Sequence, residues 1–211
     1  DIKFPLLVKP PQEDASLGIT QKSIVNDVKE LLDVISSTQQ EYQSPVLVEE
    51  FIDGREFYVG VLGNSKVEAL PIIELDFSKF PAGLPKIASW EAKWGDDGDE
   101  KGAEFEGTES VFPTDLSEEL TAKIQQVAID SFQALRLRDY ARIDLRVTAD
   151  EEVYVIEANP NCYLEEKRDF PPAPQQRRVH SPALTSPIGQ PATPPHPGPR
   201  PADPNRQSHP P

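Results

Sequence analysis

The chain has 211 residues and a formal net charge of −15 at pH 7, enough length for one or two domains with a real core. Residues 168–211 hold five Arg against two Asp, a net +3 that leaves −18 on residues 1–167. So acidic a body lacks the basic footprint of a duplex nucleic-acid binder, but it does not exclude a nucleotide, whose phosphates a metal ion can neutralise locally.

One cysteine, Cys162, rules out a disulfide framework within the chain and fits a reducing, cytoplasmic setting. No apolar run approaches membrane-spanning length, so no membrane partner is expected. The chain contains no Met and opens at Asp1 in what reads as mid-sequence, so its N-terminus is expected not to be native.

In chain order, residues 6–9, Leu-Leu-Val-Lys, predict a short buried strand stopped by Pro10 and Pro11. A polar loop runs to Gly18 and beyond. Ser23 reads as a helix cap, with Ile24, Val28, Leu31, Leu32 and Ile35 at helical spacing behind it. "VLVEEF" after Pro45, "EFYVGVLG" and "VEALPIIELDF" read as three strands. Turn signals at Asp53-Gly54 and Gly63-Asn64 separate them, which predicts an antiparallel meander.

Residues 78–115 lack clear periodicity, and "WGDDGDEKGAEFEG" reads as a mobile charged loop. Ser117 caps the next helix. Glu118 and Glu119 sit in its first turn, where the helix dipole favours negative charge. Leu120, Ile124, Val127, Ala128, Phe132 and Leu135 supply its apolar face. Two strands, "YARIDLRV" and "VYVIEA", flank an acidic turn at 150–152.

After Lys167 the character changes. Residues 168–211 contain 14 of the 23 Pro and all three His, with no apolar periodicity. Such a segment cannot bury enough surface to offset its ordering entropy and is expected to be a disordered tail. His180, His196 and His209 match no compact metal-ligand spacing. The expected division is a folded α+β domain over 1–167 and a Pro-rich tail over 168–211.

Side chains alternate along a strand, so Arg142, Asp144 and Arg146 share one face of "YARIDLRV". In "VYVIEAN", Val153, Val155, Glu157 and Asn159 are expected to share a face. Paired as a hairpin, the two strands would bring Asp144, Glu157 and Asn159 together. Two carboxylates and an amide oxygen are hard ligands suited to Mg²⁺ or Mn²⁺.

One acid alone would more simply be a solvent-facing residue; Arg-x-Asp followed by Glu-x-Asn at a hairpin's reach favours a site. Lys9, at a strand end, is a candidate point charge for phosphate. Glu49 and Glu50, followed by Phe51 and Ile52, suit an adenine slot with apolar walls and a carboxylate. Lys93 between two Trp in "WEAKW" hints at a lid. Cys162 is no nucleophile candidate, because residues 1–167 hold no His to serve as its base.

The segments "LLVKP", "EDASLGI", "VLVEEFIDGREFYVGVLGN", "WEAKW", "YARIDLRV" and "VIEANPN" stand in the order seen in ATP-grasp enzymes. Over roughly residues 1–165 the chain resembles the ATP-grasp portion of the D-alanine–D-alanine ligase family. That resemblance implies a partial ATP-grasp fold of antiparallel sheets with flanking helices.

It also implies an ATP- and Mg²⁺-dependent carboxylate–amine ligase acting through an acyl phosphate on small amino-acid substrates, a step in supplying peptidoglycan precursors. By position, Lys9 resembles the lysine on the ATP phosphates, and Glu49 with Glu50, Phe51 and Ile52 the adenine hinge. Glu56 resembles the ribose glutamate and Lys93 the lid lysine on the γ-phosphate. Arg142 resembles the arginine on the transferring group, and Ser16 a substrate-side serine. Asp144, Glu157 and Asn159 resemble the Mg²⁺ ligands.

The chain departs from the family where Glu-Gly-Ser-Ser is replaced by Glu13-Asp14-Ala15-Ser16, where Trp94 follows the lid lysine, and where Asn159 is followed by Pro160-Asn161-Cys162. These departures touch the second substrate, so a related ligase with another amine acceptor is the alternative, as is a nucleotide-binding fragment without ligase chemistry. A Pro-rich interaction protein rests on the tail alone. The family's N-terminal domain and its helix after "NPN" are expected to be missing here, and the loss of pattern near Lys167 reads as a change of reading frame. Oligomeric state has no signal.

Overall fold

The computed structural model describes residues 2–13, 15–94, 102–160 and 162. The expected mobile loop in its central part, Asn161 and the expected tail lie outside the described residues, as does the expected boundary at 167. All described residues belong to one unit, Asp1–Arg178.

Two antiparallel sheets form it. The first has three strands, β1 (Leu6–Lys9), β2 (Ile24–Val25) and β3 (Leu47–Glu50), with β1 central. The four-residue β1 alternates as expected. Leu6 and Val8 pack with Val25 against Leu31, Val34 and Ile35 of helix α1 (Val28–Tyr42). Leu7 points the other way, into a cluster with Ile24 and Ile87.

Helix α1 begins later than the spacing predicts. Asp27 is its cap, accepting from the Glu30 N–H at 2.9 Å. Ser23 instead closes a single 3-10 turn, Gln21–Ser23, capped by Thr20, and Ile24 is in β2. Val28 and Leu32 are exposed, and the inward stripe is Leu31, Val34, Ile35 and Thr38. The apolar period was real, but its phase was set by the tertiary partner rather than by the first apolar residue.

The second sheet runs β7–β6–β4–β8–β9, with β5 also on β4. Its strands are β4 (Arg55–Gly63), β5 (Val67–Ala69), β6 (Ile73–Asp76), β7 (Glu109–Val111), β8 (Tyr140–Val147) and β9 (Val153–Asn159). The expected meander is therefore corrected. β3 pairs with β1 rather than β4, and Asp53-Gly54 joins the two sheets. A Cβ at Gly54 would overlap the Val147 carbonyl, so the crossing admits only glycine. The single strand expected over "VEALPIIELDF" is two, split at Leu70-Pro71, where proline cannot donate to the ladder.

Helix α4 (Glu118–Ala134) covers one face of this sheet. Ser117 caps it, accepting from the Leu120 N–H at 3.0 Å. Leu120, Ile124, Ala128 and Phe132 pack on Phe57, Val59, Ile143 and Leu145, while Leu135 is exposed beyond the helix end. Short helices α2 (Trp90–Trp94) and α3 (Ala103–Glu106) occupy the stretch that showed no periodicity.

One irregularity decides the site. β8 and β9 pair with Leu145 opposite Val155 but Asp144 opposite Glu157, leaving Ile156 without a partner. This β-bulge breaks the alternation. Val153 packs on the α4 side, and so does Ala158, five residues on, an odd separation that straight alternation forbids. The expectation that Val153 shares a face with Glu157 and Asn159 fails here, because the bulge resets the parity; Val155, as expected, borders the same cleft as Glu157.

Candidate nucleotide and metal site

The face of the second sheet turned away from α4 is polar along β4 and β8, beside an apolar cluster in which Tyr58 packs with Ile73, Leu75 and Phe77. β4 contributes Glu56 and Tyr58, and β8 contributes Arg142, Asp144 and Arg146. The register sets Glu56 opposite Arg146 and Tyr58 opposite Asp144. All five are buried, at 2–7% exposure, so none of them is an ordinary surface charge. Buried charges persist only when paired, and these are paired throughout.

At one end, Asp144 accepts from Arg142 Nε at 2.7 Å and Nη2 at 2.8 Å. The Arg142 guanidinium lies 4.8 Å over the Tyr58 ring. Asn159 Nδ2 donates to Asp144 Oδ2 at 3.2 Å and to Glu157 Oε2 at 3.3 Å. The amide holds side by side two carboxylates that like charge would push apart. Burial, opposed by Arg142 and Lys93 and aided by Glu157, pushes the Asp144 carboxyl up to about 6.

At the other end, Arg146 Nη2 donates to Glu56 Oε2 at 2.9 Å and to the Lys86 carbonyl, and Nη1 donates to the Ile52 carbonyl at 2.9 Å. Its guanidinium lies 4.9 Å over the Phe51 ring. Tyr58 O–H donates to Glu56 Oε1 at 3.0 Å.

These groups border a cleft of about 520 Å³. Its floor is the first sheet's Leu7 and Lys9 with the hinge Glu49–Phe51 and Ile52; its far wall holds Glu56, Asp144, Arg146 and Glu157. Lys93 of α2 and Ser16 of the 15–18 loop close the remaining sides. Ten of the twelve residues picked from the sequence thus border one cleft. The other two, Arg142 and Asn159, bond to Asp144.

Lys9 is ion-paired to Glu49 at 2.5 Å, and Glu50 accepts from the Lys3 N–H at 2.7 Å. Ser16 lies in a left-handed turn with φ 64°, its carbonyl accepting from the Ile19 N–H at 3.0 Å.

The structure adds Arg146, Tyr58 and Tyr154 to this cleft wall or its support. Arg146 was legible as a member of the Arg142–Asp144 face. Its partner Glu56 lies 90 residues away, and no local pattern joins the two. Tyr154 sits opposite Arg146 across the hairpin, on the side the bulge assigns it.

The donor set at the Asp144 end fits a hard divalent cation, since a desolvated carboxylate beside a second carboxylate gains most from neutralisation. Among the described residues no cluster of three or more His, Cys, Asp and Glu exists. Such a cation would therefore draw part of its shell from water and phosphate oxygens.

The chain matches the family described as D-ala D-ala ligase C-terminus over residues 1–186. The D-alanine–D-alanine ligase of Desulfotalea psychrophila is 34% identical over 159 residues, 75% of this chain and 44% of that protein. That of Aquifex aeolicus is 31% identical over 187 residues, 87% of this chain and 55% of that protein. The chain spans about half the length of the curated relatives it matches. Among solved structures, the Bacillus anthracis D-alanine–D-alanine ligase complexed with ATP superposes with a TM-score of 0.52 at 27% identity. It covers 74% of this chain and 41% of that one.

Proposed function

Because the chain belongs to the D-alanine–D-alanine ligase C-terminal family, we propose that it forms the nucleotide-holding half of an ATP-dependent carbon–nitrogen ligase. In this reading a carboxylate takes the γ-phosphoryl group of ATP, releasing ADP. An amine then attacks the acyl phosphate and expels phosphate to leave an amide. The substrates are small amino acids, D-alanine first among them.

Phosphoryl transfer is mostly positioning and charge neutralisation. The adenine lies along the hinge Glu49, Glu50, Phe51 and Ile52, and Glu56 receives the ribose hydroxyls. Lys9 and Lys93 meet the phosphates from opposite sides of the cleft. Asp144 and Glu157 would hold Mg²⁺ or Mn²⁺, joined by Asn159 with its amide turned to present the oxygen, and the cation would supply positive charge to the phosphate oxygens. Arg142 keeps Asp144 aimed at that end and adds its own charge to the developing negative charge there. Ser16 faces the substrate side. Lys93, on a short helix, brings its charge with a lid that excludes water from the acyl phosphate.

The observation that supports this most is the convergence of the hinge, two lysines and a paired carboxylate site on one cleft. Calorimetry of ATP with and without Mg²⁺ tests it. Metal-dependent binding that Glu157→Gln weakens at least about tenfold is expected; equal binding without metal would overturn the site. Since the chain spans about half of its relatives, turnover is read separately. ADP release that depends on D-alanine marks a ligase, and binding without it marks a nucleotide-holding module.

A further inference from the structure

Arg146 joins three segments that come from different parts of the chain. Its Nη1 holds the Ile52 carbonyl of the hinge, and its Nη2 holds the Glu56 carboxylate of β4. The same nitrogen holds the Lys86 carbonyl of the segment leading into α2, whose Ile87 and Ala88 border the cleft. The hinge is pinned from its other side as well, where the Phe51 N–H donates to the Pro5 carbonyl at 3.0 Å. The guanidinium is 4% exposed, lies over the Phe51 ring, and stands at the cleft wall. A planar fork can serve three acceptors in fixed directions, which an ammonium on a flexible stem cannot.

The path of the hinge backbone decides which of its N–H and C=O groups face a purine edge. Adenine presents a donor where guanine presents an acceptor. Whatever fixes that path therefore selects the base.

We propose that Arg146 is a positioning residue for base selection: it sets the hinge, the Glu56 carboxylate and the base of the lid helix before the nucleotide enters. The inference rests on the nucleotide reading of the cleft. It assigns to a residue outside the expected site the task of making ATP preferred over GTP.

Calorimetry with ATP and with GTP, each with Mg²⁺, tests it on wild type and two variants. Arg146→Lys keeps a positive charge opposite Glu56 but loses the fork. The double variant Arg146→Met with Glu56→Gln removes both charges, so neither is left buried alone. Wild type is expected to bind ATP more tightly than GTP. In Arg146→Lys the ATP affinity falls about tenfold, with a smaller loss for GTP, so the ratio drops. The double variant shows a ratio as low.

A merely structural role would reduce the folded fraction, lowering the stoichiometry for both nucleotides and leaving the ratio unchanged. An unchanged ratio in both variants, with wild type binding ATP, would overturn the role of Arg146 alone. Wild type binding neither nucleotide would overturn the nucleotide reading and this inference together.

Discussion

Asp144 is held by opposing forces. Burial in the sheet face raises its carboxyl from its ordinary 3.8 to about 6, although Arg142 and Lys93 favour the ionised form. Between those two values the folded state binds a proton that the unfolded state does not. Without a cation, the contribution of Asp144 to stability is therefore complete below about pH 4 and is lost as pH rises through about 6. The loss is at most about 3 kcal/mol, from a shift of about two units. Urea melts of wild type and Asp144→Asn at pH 4 and pH 7 check this. The variant should gain on wild type as pH rises, since asparagine carries no charge to desolvate. A constant difference between the two would show that Asp144 is solvated. Mg²⁺ with nucleotide should reverse the trend, because the cation favours the carboxylate. Alternation was enough to align Asp144 with Arg142; its burial was not legible, because it depends on β4 lying alongside with Tyr58 opposite.

Helix α4 and the β8–β9 hairpin divide the labour of the second sheet. The helix buries Leu120, Ile124, Ala128 and Phe132 against one face, which frees the other face to carry charge. Ile124 is fully buried in that cluster. Ile124→Ala should cost about 2–5 kcal/mol of unfolding free energy by chemical denaturation. A loss below about 1 kcal/mol would mean that the helix is loosely seated. The cap at Ser117 and the four buried positions behind it were readable from sequence, because a 3.6-residue period and an N-cap are local features. The bulge at Ile156 was not. It inserts one residue into an otherwise regular apolar strand, and only the register against β8 exposes it. The same limit explains α1, whose apolar period was visible but whose buried side was chosen by the first sheet.

Across the whole molecule the charge is strongly acidic, with a net −18 over residues 1–167. Under the proposed function, the phosphates of ATP would be drawn in only where Lys9, Lys93 and a divalent cation outweigh the surrounding field. A ligand that binds the folded chain alone stabilises it by mass action, by about 2.7 kcal/mol at a hundred times the dissociation constant. The midpoint of thermal unfolding should therefore rise with ATP and Mg²⁺ together, and chelation of the metal should abolish the rise. An equal rise with ATP and chelator would remove the metal from the account. The cleft exists because β3 joins the first sheet and β4 the second, with Asp53-Gly54 crossing between them. Strand signals and a turn signal were correctly placed there. Reading them as one meander would have left the hinge at a hairpin tip with no opposing wall.

By itself the sequence determined the ordered motifs, the antiparallel α+β class and ten of the residues that border the cleft. Each of these rests on local spacing, turn chemistry or a recognisable run of residues. Tertiary structure decided which strands share a sheet, which side of each helix is inside, and how the charges pair. The Glu56–Arg146 pair spans 90 residues, and the Asp144–Glu157 juxtaposition hangs on one bulged residue. Strand partners are chosen by burial summed over the whole fold, so these features appear only once both sheets are in place.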